Sequence, residues 1–347
     1  MVSENRNENS PSLKQDFAKA GDSNGEEREV IASEEFKGVS VVGSLRDVAK
    51  VEWLLDRLQK VPEGKHLVDN VARDGYTFNF QSSTTACGSC EVEKKEIILN
   101  PNISEDRLVA TLAHELRHAQ QFTRGANHKI SEQTTKTKIM TTRAMEADAN
   151  AYAALVCWNL KNSSHEGPWE QKGDPAPWQK LTETAPEITT AFEKTMVSTK
   201  DTSKALAEAF KAWYHERIRE IYDDGHIDNL KRIEDEGKAG SLSFAKENSP
   251  ENIVNVTCFH NGKSYLPNAA DVLNSPEYLS VSEKNMAEIK KFFETREQEF
   301  GVKADKSLAQ IPVRKKDGSV CMLDEPKTKS VVDSKIQQKY LDKLSRG

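Results

Sequence analysis

The chain of 347 residues is long enough for one large domain or two small ones, and its mean hydropathy of -0.70 indicates that part of its length lies outside any packed core. The formal net charge of -6 argues against nucleic acid as the main partner, and the lack of a run of about 18 apolar residues predicts no membrane span. A polar N-terminus and five widely spread cysteines predict a cytoplasmic protein, or one exported without a cleaved signal peptide.

The first hundred residues begin with a polar arm and continue with amphipathic segments. Residues 1–36 contain nine acidic and four basic residues, so we expect a disordered acidic arm. A helix is predicted to follow Ser44, which can form a capping box with Asp47. Alternating aromatic residues at 76–80 predict a half-buried strand, and a hairpin follows whose second strand is Glu96 to Leu99.

The middle of the chain is predicted to be helical. One helix is expected to begin after Ser104 and to end near Gly125, where glycine gives a stop signal. After a polar stretch rich in Thr and Lys, a second helix is predicted over 142–160, and further helices over 186–195 and 202–222.

The C-terminal part has weaker periodicity. A strand is predicted over 254–259 and a helix over 282–299, and residues 302–347 are predicted to be a basic, mostly disordered tail with a final helix over 334–345. The domain prediction is therefore one main domain over 38–235, which contains the central helix, and a helical or mixed extension over 236–301. The predicted fold class is α+β, mainly helical, with a small antiparallel sheet next to the central helix.

That central helix contains the motif His114-Glu115-Leu116-Arg117-His118. Histidines at i and i+4 lie on one helix face, where both imidazoles can bind one zinc ion. The glutamate between them can then activate a zinc-bound water, as in metallopeptidases with the His-Glu-x-x-His motif. The sequence therefore predicts zinc as cofactor, His114 and His118 as ligands, and Glu115 as the catalytic base.

A catalytic zinc site needs a third protein ligand, and the alanine-rich second helix offers two carboxylates, Glu146 and Asp148. Alanines let this helix approach the metal helix closely. The spacing along the chain does not choose between the two carboxylates. If Glu146 is the ligand, Asp148 becomes a candidate to accept a proton from a ligand histidine and fix its tautomer.

These residues, together with Leu99-Asn100-Pro101 and Ala119-Gln120-Gln121, resemble the gluzincin metallopeptidases, and most closely a bacterial family of metallopeptidases without a characterised function. The similarity extends from about Leu45 to Asp223. The resemblance implies Glu146 as the third zinc ligand, leaving Asp148 beside the site, and Glu96 to Leu99 as an edge strand that holds an extended peptide. The chain lacks the Asn-Glu-x-x-x-Asp setting of thermolysin-like enzymes.

The reaction implied is metal-assisted hydrolysis of a peptide or protein substrate, in which Glu115 takes a proton from water and delivers it to the leaving amine. Candidate transition-state donors are Tyr152, Tyr214 and His215, for each of which ordinary packing is the alternative. A second hypothesis is a catalytically silent zinc-binding or protein-interaction module on the same fold. A third is hydrolysis of a non-peptide amide.

Cys87-x-x-Cys90 invites a structural zinc or redox interpretation. The other three cysteines come singly, and no thioredoxin-like βαβ pattern surrounds the pair. We therefore interpret the pair as incidental thiols in a turn between strands, able to form a disulfide in an exported protein.

Overall fold

The structure is a computed structural model that describes residues 19–21, 27–31, 38–83, 86–126, 133–163, 173–303 and 305–322. It is a mainly helical α+β fold with small sheets, as predicted. The chain divides into two compact units, one of residues 1–125 and 145–216 and the other of residues 126–144 and 217–347. None of the helices in the described part of the chain has the length and apolar character that a transmembrane helix needs.

The first unit contains a six-stranded sheet and the helices around it. Its strands are β1 (Lys19–Gly21), β2 (Glu27–Ile31), β3 (Ser40–Val42), β4 (Thr77–Phe80), β5 (Gly88–Glu91) and β6 (Glu96–Leu99). Its helices are α1 (Leu45–Leu58), α2 (Pro62–Asp74), α3 (Glu105–Thr123), the second half of α4 (Thr135–Asn162), α5 (Ala176–Thr184), α6 (Pro186–Thr199) and α7 (Thr202–Trp213).

The second unit contains short strands and the remaining helices. The helices are the first half of α4, α8 (Ile218–Asp235), α9 (Pro250–Thr257), α10 (Ala269–Leu273), α11 (Pro276–Leu279) and α12 (Glu283–Phe300), with 3-10 turns at Ala239–Ser241 and Lys306–Gln310. The strands are β7 (Phe259–His260), β8 (Lys263–Ser264), β9 (Val281–Ser282), β10 (Val313–Arg314) and β11 (Val320–Cys321).

The large sheet is mixed rather than antiparallel, with the strand order β1-β2-β3-β4-β6-β5. Strands β3, β4 and β6 are parallel to one another, while β5 is antiparallel to β6. The parallel pair β3 and β4 is possible because α1 and α2 form the long crossover that parallel strands require. Phe78 pairs with Ile97 and Phe80 with Leu99, and these four buried side chains form the core face of the sheet.

This strand order corrects the prediction for the substrate strand. The strand Glu96–Leu99 (β6) is paired on both sides, and β5 ends the sheet in the described part of the chain. The predicted hairpin is present, with β5 antiparallel to β6 and the turn between them. Because the hairpin folds β5 over the free side of β6, the edge moves outward by one strand.

Helix α1 confirms the predicted capping box: Ser44 Oγ accepts the backbone N–H of Asp47, and the Asp47 carboxylate accepts the backbone N–H of Ser44 at 2.9 Å. Helix α4 begins at Thr135, seven residues before the predicted start at Thr142. The backbone N–H of Thr135 donates to the Asp305 carboxylate at 2.5 Å, and that of Lys136 donates to Ser307 Oγ. These partners are distant in sequence, so local signals could not reveal the start.

Two other predictions are corrected. The predicted helix 202–222 is two helices, α7 and α8, separated at residues 214–217. The predicted strand 254–259 lies largely in α9, because Ser249 accepts the N–H of Asn252 and Pro250 occupies the first turn, which together start a helix.

Two segments predicted to be disordered contain strands. Strand β2 of the N-terminal arm pairs with β1 and β3, and backbone pairing of this kind does not depend on hydrophobic side chains. Residues 305–322 are folded, with Leu308, Ile311 and Val313 buried and β10 parallel to β9. The predicted final helix 334–345 lies outside the described residues.

Candidate metal centre

Helix α3 places the His-Glu-x-x-His motif in the interior of the first unit. Its first turn carries two acidic residues, which complement the positive end of the helix dipole. It packs against α1, α2, α5 and the strands β5 and β6. Glu115 and His118 are buried, with 6% and 8% of their surfaces exposed, while His114 is half-buried. The motif therefore lies at the edge of the core, partly open to a ligand.

The two imidazoles converge on one point. Nε2 of His114 lies 3.0 Å from Nε2 of His118, and the three residues of the motif offer ligand atoms within 4.8 Å of one another. Glu146 on α4 reaches the same point: its Oε2 lies 3.3 Å from His114 Nε2, and its Oε1 lies 3.5 Å from His118 Nε2. The structure thus brings together all four of these predicted site residues.

This donor set fits a divalent metal ion. Ligand atoms about 2.0–2.1 Å from a tetrahedral zinc ion are separated from each other by about 3.3 Å, close to the distances among the two nitrogens and the carboxylate. In addition, Glu146 Oε2 is a buried oxygen with no hydrogen-bond partner among the described residues. A buried carboxylate oxygen facing two imidazole nitrogens is stabilised by a cation.

The charges within the cluster are strongly coupled. Burial lowers the pKa of His118, but the negative charge of Glu146 outweighs burial and raises the pKa to about 9. Burial raises the pKa of Glu146, yet the positive charges of the His118 and His114 imidazoles that face its carboxylate hold that pKa well below its usual range. For Glu115, burial raises the pKa more than the two histidines lower it. A carboxylate with a raised pKa is a stronger base, which suits proton transfer.

Asp148 lies beside the cluster, one contact away from the metal-site histidine. Its carboxylate accepts hydrogen bonds from Arg117 Nε at 2.7 Å and from Gln121 Nε2 at 2.7 Å. It is Gln121 whose Oε1 lies 2.9 Å from His118 Nδ1. The position expected for Asp148, next to a ligand histidine, is therefore held by Gln121. Sequence reasoning missed this residue, although the i, i+3 spacing from His118 places it on the same helix face.

Strand β5 approaches the motif near Glu115 through Gly88. A Cβ atom built on Gly88 would lie 2.9 Å from Thr111 Cγ2 and 3.1 Å from Glu115 Cγ, so glycine is needed for this close approach. Gly88 also lines a cavity of about 260 Å³ together with Gln81, Ser89 and Glu91. The edge of the sheet, this cavity and Glu115 are therefore neighbours.

The three candidate donors are placed as follows. Tyr152 is buried, its ring lies 4.1 Å from the Arg117 guanidinium carbon, and burial raises its pKa to about 12. Tyr214 is buried and packs edge-on against Trp213, and His215 is exposed. These contacts are of the packing kind, and none of the three joins the histidine cluster in the contacts described above.

Cys87 and Cys90 are free thiols along an extended segment. The backbone N–H of Asn100 donates to the Cys87 carbonyl, so the ladder of β5 includes this residue. Three residues of strand span about 10 Å, whereas a disulfide needs α-carbons within about 7 Å. A disulfide between the two cysteines is therefore incompatible with β5 as folded.

A family model described as "Putative metallopeptidase family (DUF6782)" matches residues 43–266, which is more than half of the chain. The matched region includes α3 and the whole of α4, and so every residue of the cluster. No curated protein and no solved structure matches the chain.

Proposed function

We propose, since this chain belongs to the putative metallopeptidase family, that it is a zinc-dependent peptidase of the gluzincin type, with His114, His118 and Glu146 as metal ligands and Glu115 as the base. The observation that carries the proposal is the convergence of three donors from two helices within 3.0–3.5 Å of one another, with Glu115 in the same cluster. Histidine and carboxylate ligands with an open fourth position are the set that catalytic zinc sites use.

Zinc, when bound, would supply a Lewis acid that polarises the scissile carbonyl and lowers the pKa of a water molecule. The residues of the chain supply the rest. Glu115, with its raised pKa, takes a proton from the attacking water at its carboxylate and delivers it to the nitrogen of the leaving amine. The buried setting of Glu115 keeps bulk water from competing for that proton.

The substrate that this site favours is an extended peptide. Strand β5 ends the sheet among the described strands, so a peptide can add to it through backbone hydrogen bonds. Gly88 on that strand lies so close to Glu115 that a Cβ atom built on it would be 3.1 Å from Glu115 Cγ, and a backbone bound to β5 would therefore lie near the base. The cavity at this edge is lined by small and polar side chains, including Ser83, Ser89 and Asn100, and so favours small or polar substrate side chains.

The deciding experiment pairs zinc analysis with hydrolysis of a peptide library by the wild type and Glu115→Gln. We expect one zinc ion per chain in both and a loss of about 10²- to 10⁴-fold in hydrolysis for the variant. Glu93→Gln, at an exposed turn position of the hairpin, is the control and should match the wild type. Equal hydrolysis by wild type and Glu115→Gln would reject the peptidase and favour a silent zinc-binding module.

The choice of third ligand is tested by comparing Glu146→Gln with Asp148→Asn. The first should lose stoichiometric zinc, because it removes one of three donors to the metal. The second should still bind one zinc ion per chain, although more weakly, since Asp148 contacts Arg117 and Gln121 rather than the metal position. An exposed histidine of α2, His66, gives the control His66→Ala, which should keep its zinc.

A further inference from the structure

The side-chain amide of Gln121 connects the two helices that carry the proposed metal ligands. It lies on α3, is 1% exposed, and its Oε1 is 2.9 Å from Nδ1 of His118. Its Nε2 is 3.0 Å from the backbone carbonyl oxygen of Met145 and 2.7 Å from Oδ2 of Asp148, both on α4. One amide therefore contacts a ligand histidine and the backbone next to Glu146.

The orientation of this amide follows from its partners. A carboxylate and a backbone carbonyl can only accept hydrogen bonds, so the group facing Asp148 and Met145 must be the NH₂ with its two donors. The oxygen of the amide then faces His118, and an oxygen can only accept. Nδ1 of His118 must therefore carry a proton and donate it to Gln121.

The Asp148 carboxylate is held in place by Arg117. Arg117 donates to both of its oxygens, at 2.7 and 3.0 Å, and an arginine does not lose its proton. The remaining face of the guanidinium covers the Tyr152 ring, and another of its nitrogens donates to Gln120. Arg117 and Asp148 are 1% and 0% exposed, so water cannot replace these contacts. A flipped amide would place its oxygen against a buried carboxylate.

We propose that Gln121 is a positioning residue that fixes His118 in the tautomer with Nδ1 protonated, leaving Nε2 free for the metal, and that Asp148 and Arg117 fix Gln121 in turn. This inference rests on the proposed function in taking His118 as a zinc ligand. Hydrogen bonds to the residues that bind a metal ion orient those residues, and the loss of such a hydrogen bond lowers metal affinity by about 10- to 100-fold. Nε2 of Gln121 also donates to the backbone carbonyl of Met145, next to Glu146. The same amide therefore helps to fix the position of Glu146 relative to His118.

The test is the zinc affinity of Gln121→Met, measured by competition with a chromophoric chelator, with thermal unfolding followed to verify the fold. Methionine is close in volume but lacks the amide, so we expect zinc to bind about 10- to 100-fold more weakly. The matched control is Gln120→Met at the neighbouring residue, which contacts Arg117 rather than His118 and should change the zinc affinity less than about threefold. Equal affinities for the two variants would overturn the proposal.

A second measurement reads the tautomer itself by ¹⁵N NMR of the histidine ring. In the zinc-loaded wild type we expect His118 to show a protonated Nδ1 and a metal-bound Nε2, and the opposite assignment would overturn the proposal. If the wild type binds zinc and hydrolyses no peptide, the proposed function fails while both of these tests stand. If it binds no zinc, the neutral ring at pH 10 should still show the proton on Nδ1 in the wild type and a mixture of tautomers in Gln121→Met.

Discussion

Two buried ion pairs, Arg117 with Asp148 in the first unit and Arg143 with Asp223 in the second, have similar geometry and different surroundings. In both, the guanidinium approaches the carboxylate with two nitrogens, at 2.7 and 3.0 Å in the first pair and 2.9 and 2.7 Å in the second. All four residues are at least nine-tenths buried. The chemistry of the pair itself is thus the same in each unit.

The two ion pairs differ in the further groups to which they are hydrogen-bonded. Asp148 also accepts a hydrogen bond from Gln121, which contacts a histidine of the metal cluster. Arg143 instead donates to the backbone carbonyls of Tyr278 and Ser280, so the second pair fixes the chain between α11 and β9. A buried ion pair therefore does not by itself indicate a functional site. The neighbour that it positions decides its role.

The largest expected effect comes from breaking the two pairs separately, with Asp148→Asn and Asp223→Asn. Each leaves a buried guanidinium without its carboxylate, so each should lower the free energy of unfolding by about 3–5 kcal/mol. Only Asp148→Asn should also weaken zinc binding, because only Asp148 supports Gln121. Denaturant unfolding and zinc titration of the folded variants measure the two effects. An equal loss of zinc affinity in both variants would contradict the proposal that only the Arg117–Asp148 pair supports the candidate metal site.

A smaller effect is expected at Lys138, which is buried in the second unit. Burial lowers its pKa from 10.5 to about 7. Above pH 10.5 the amine is neutral in the folded and unfolded states. Between pH 10.5 and 7 only the unfolded chain gains the proton, so this lysine makes the free energy of unfolding fall as the pH falls.

Lys138→Met should therefore raise the free energy of unfolding at pH 7, by on the order of 3 kcal/mol, and flatten its rise between pH 7 and 10. Denaturant titrations of the wild type and of Lys138→Met at several pH values measure these free energies of unfolding. The Lys138→Met variant measures what it costs the second unit to bury the charge of Lys138, in contrast to the buried charge of Arg143, which is paired with Asp223. A variant no more stable than the wild type at pH 7 would contradict the expected cost of burying the charge.

The smallest effects concern two glycines. Gly88→Ala should lower the free energy of unfolding by about 1–3 kcal/mol and reduce hydrolysis, because the new methyl group meets Glu115. Gly225, on the exposed side of α8, has nothing within 4 Å of a built Cβ atom, so Gly225→Ala should instead stabilise the protein by about 1 kcal/mol. Thermal unfolding measures the change in stability of each variant, and a peptide assay measures the change in hydrolysis. Unchanged hydrolysis in Gly88→Ala would show that Glu115 does not depend on this contact.

The parts of the protein that were predictable from sequence are the local ones. The spacing of His114 and His118 fixes their shared helix face, and Ser44 with Asp47 makes its capping box within one turn. The position of Gln121 depends on Asp148, 27 residues along the chain, and no periodicity reports such a contact. The same limit hid β5 as the edge strand, since the pairing of β4 with β6, which are distant in sequence, leaves the hairpin partner β5 outermost.

The Asp305 carboxylate that accepts the N–H of Thr135 has a consequence for where this protein can be shortened. The family match ends at residue 266, which would make a natural place to trim the chain for expression. A chain trimmed there keeps every member of the metal cluster but removes the residue that caps α4, the helix that carries Glu146. A chain that ends after the turn Lys306–Gln310, about forty residues past the family match, would keep this contact at the start of α4.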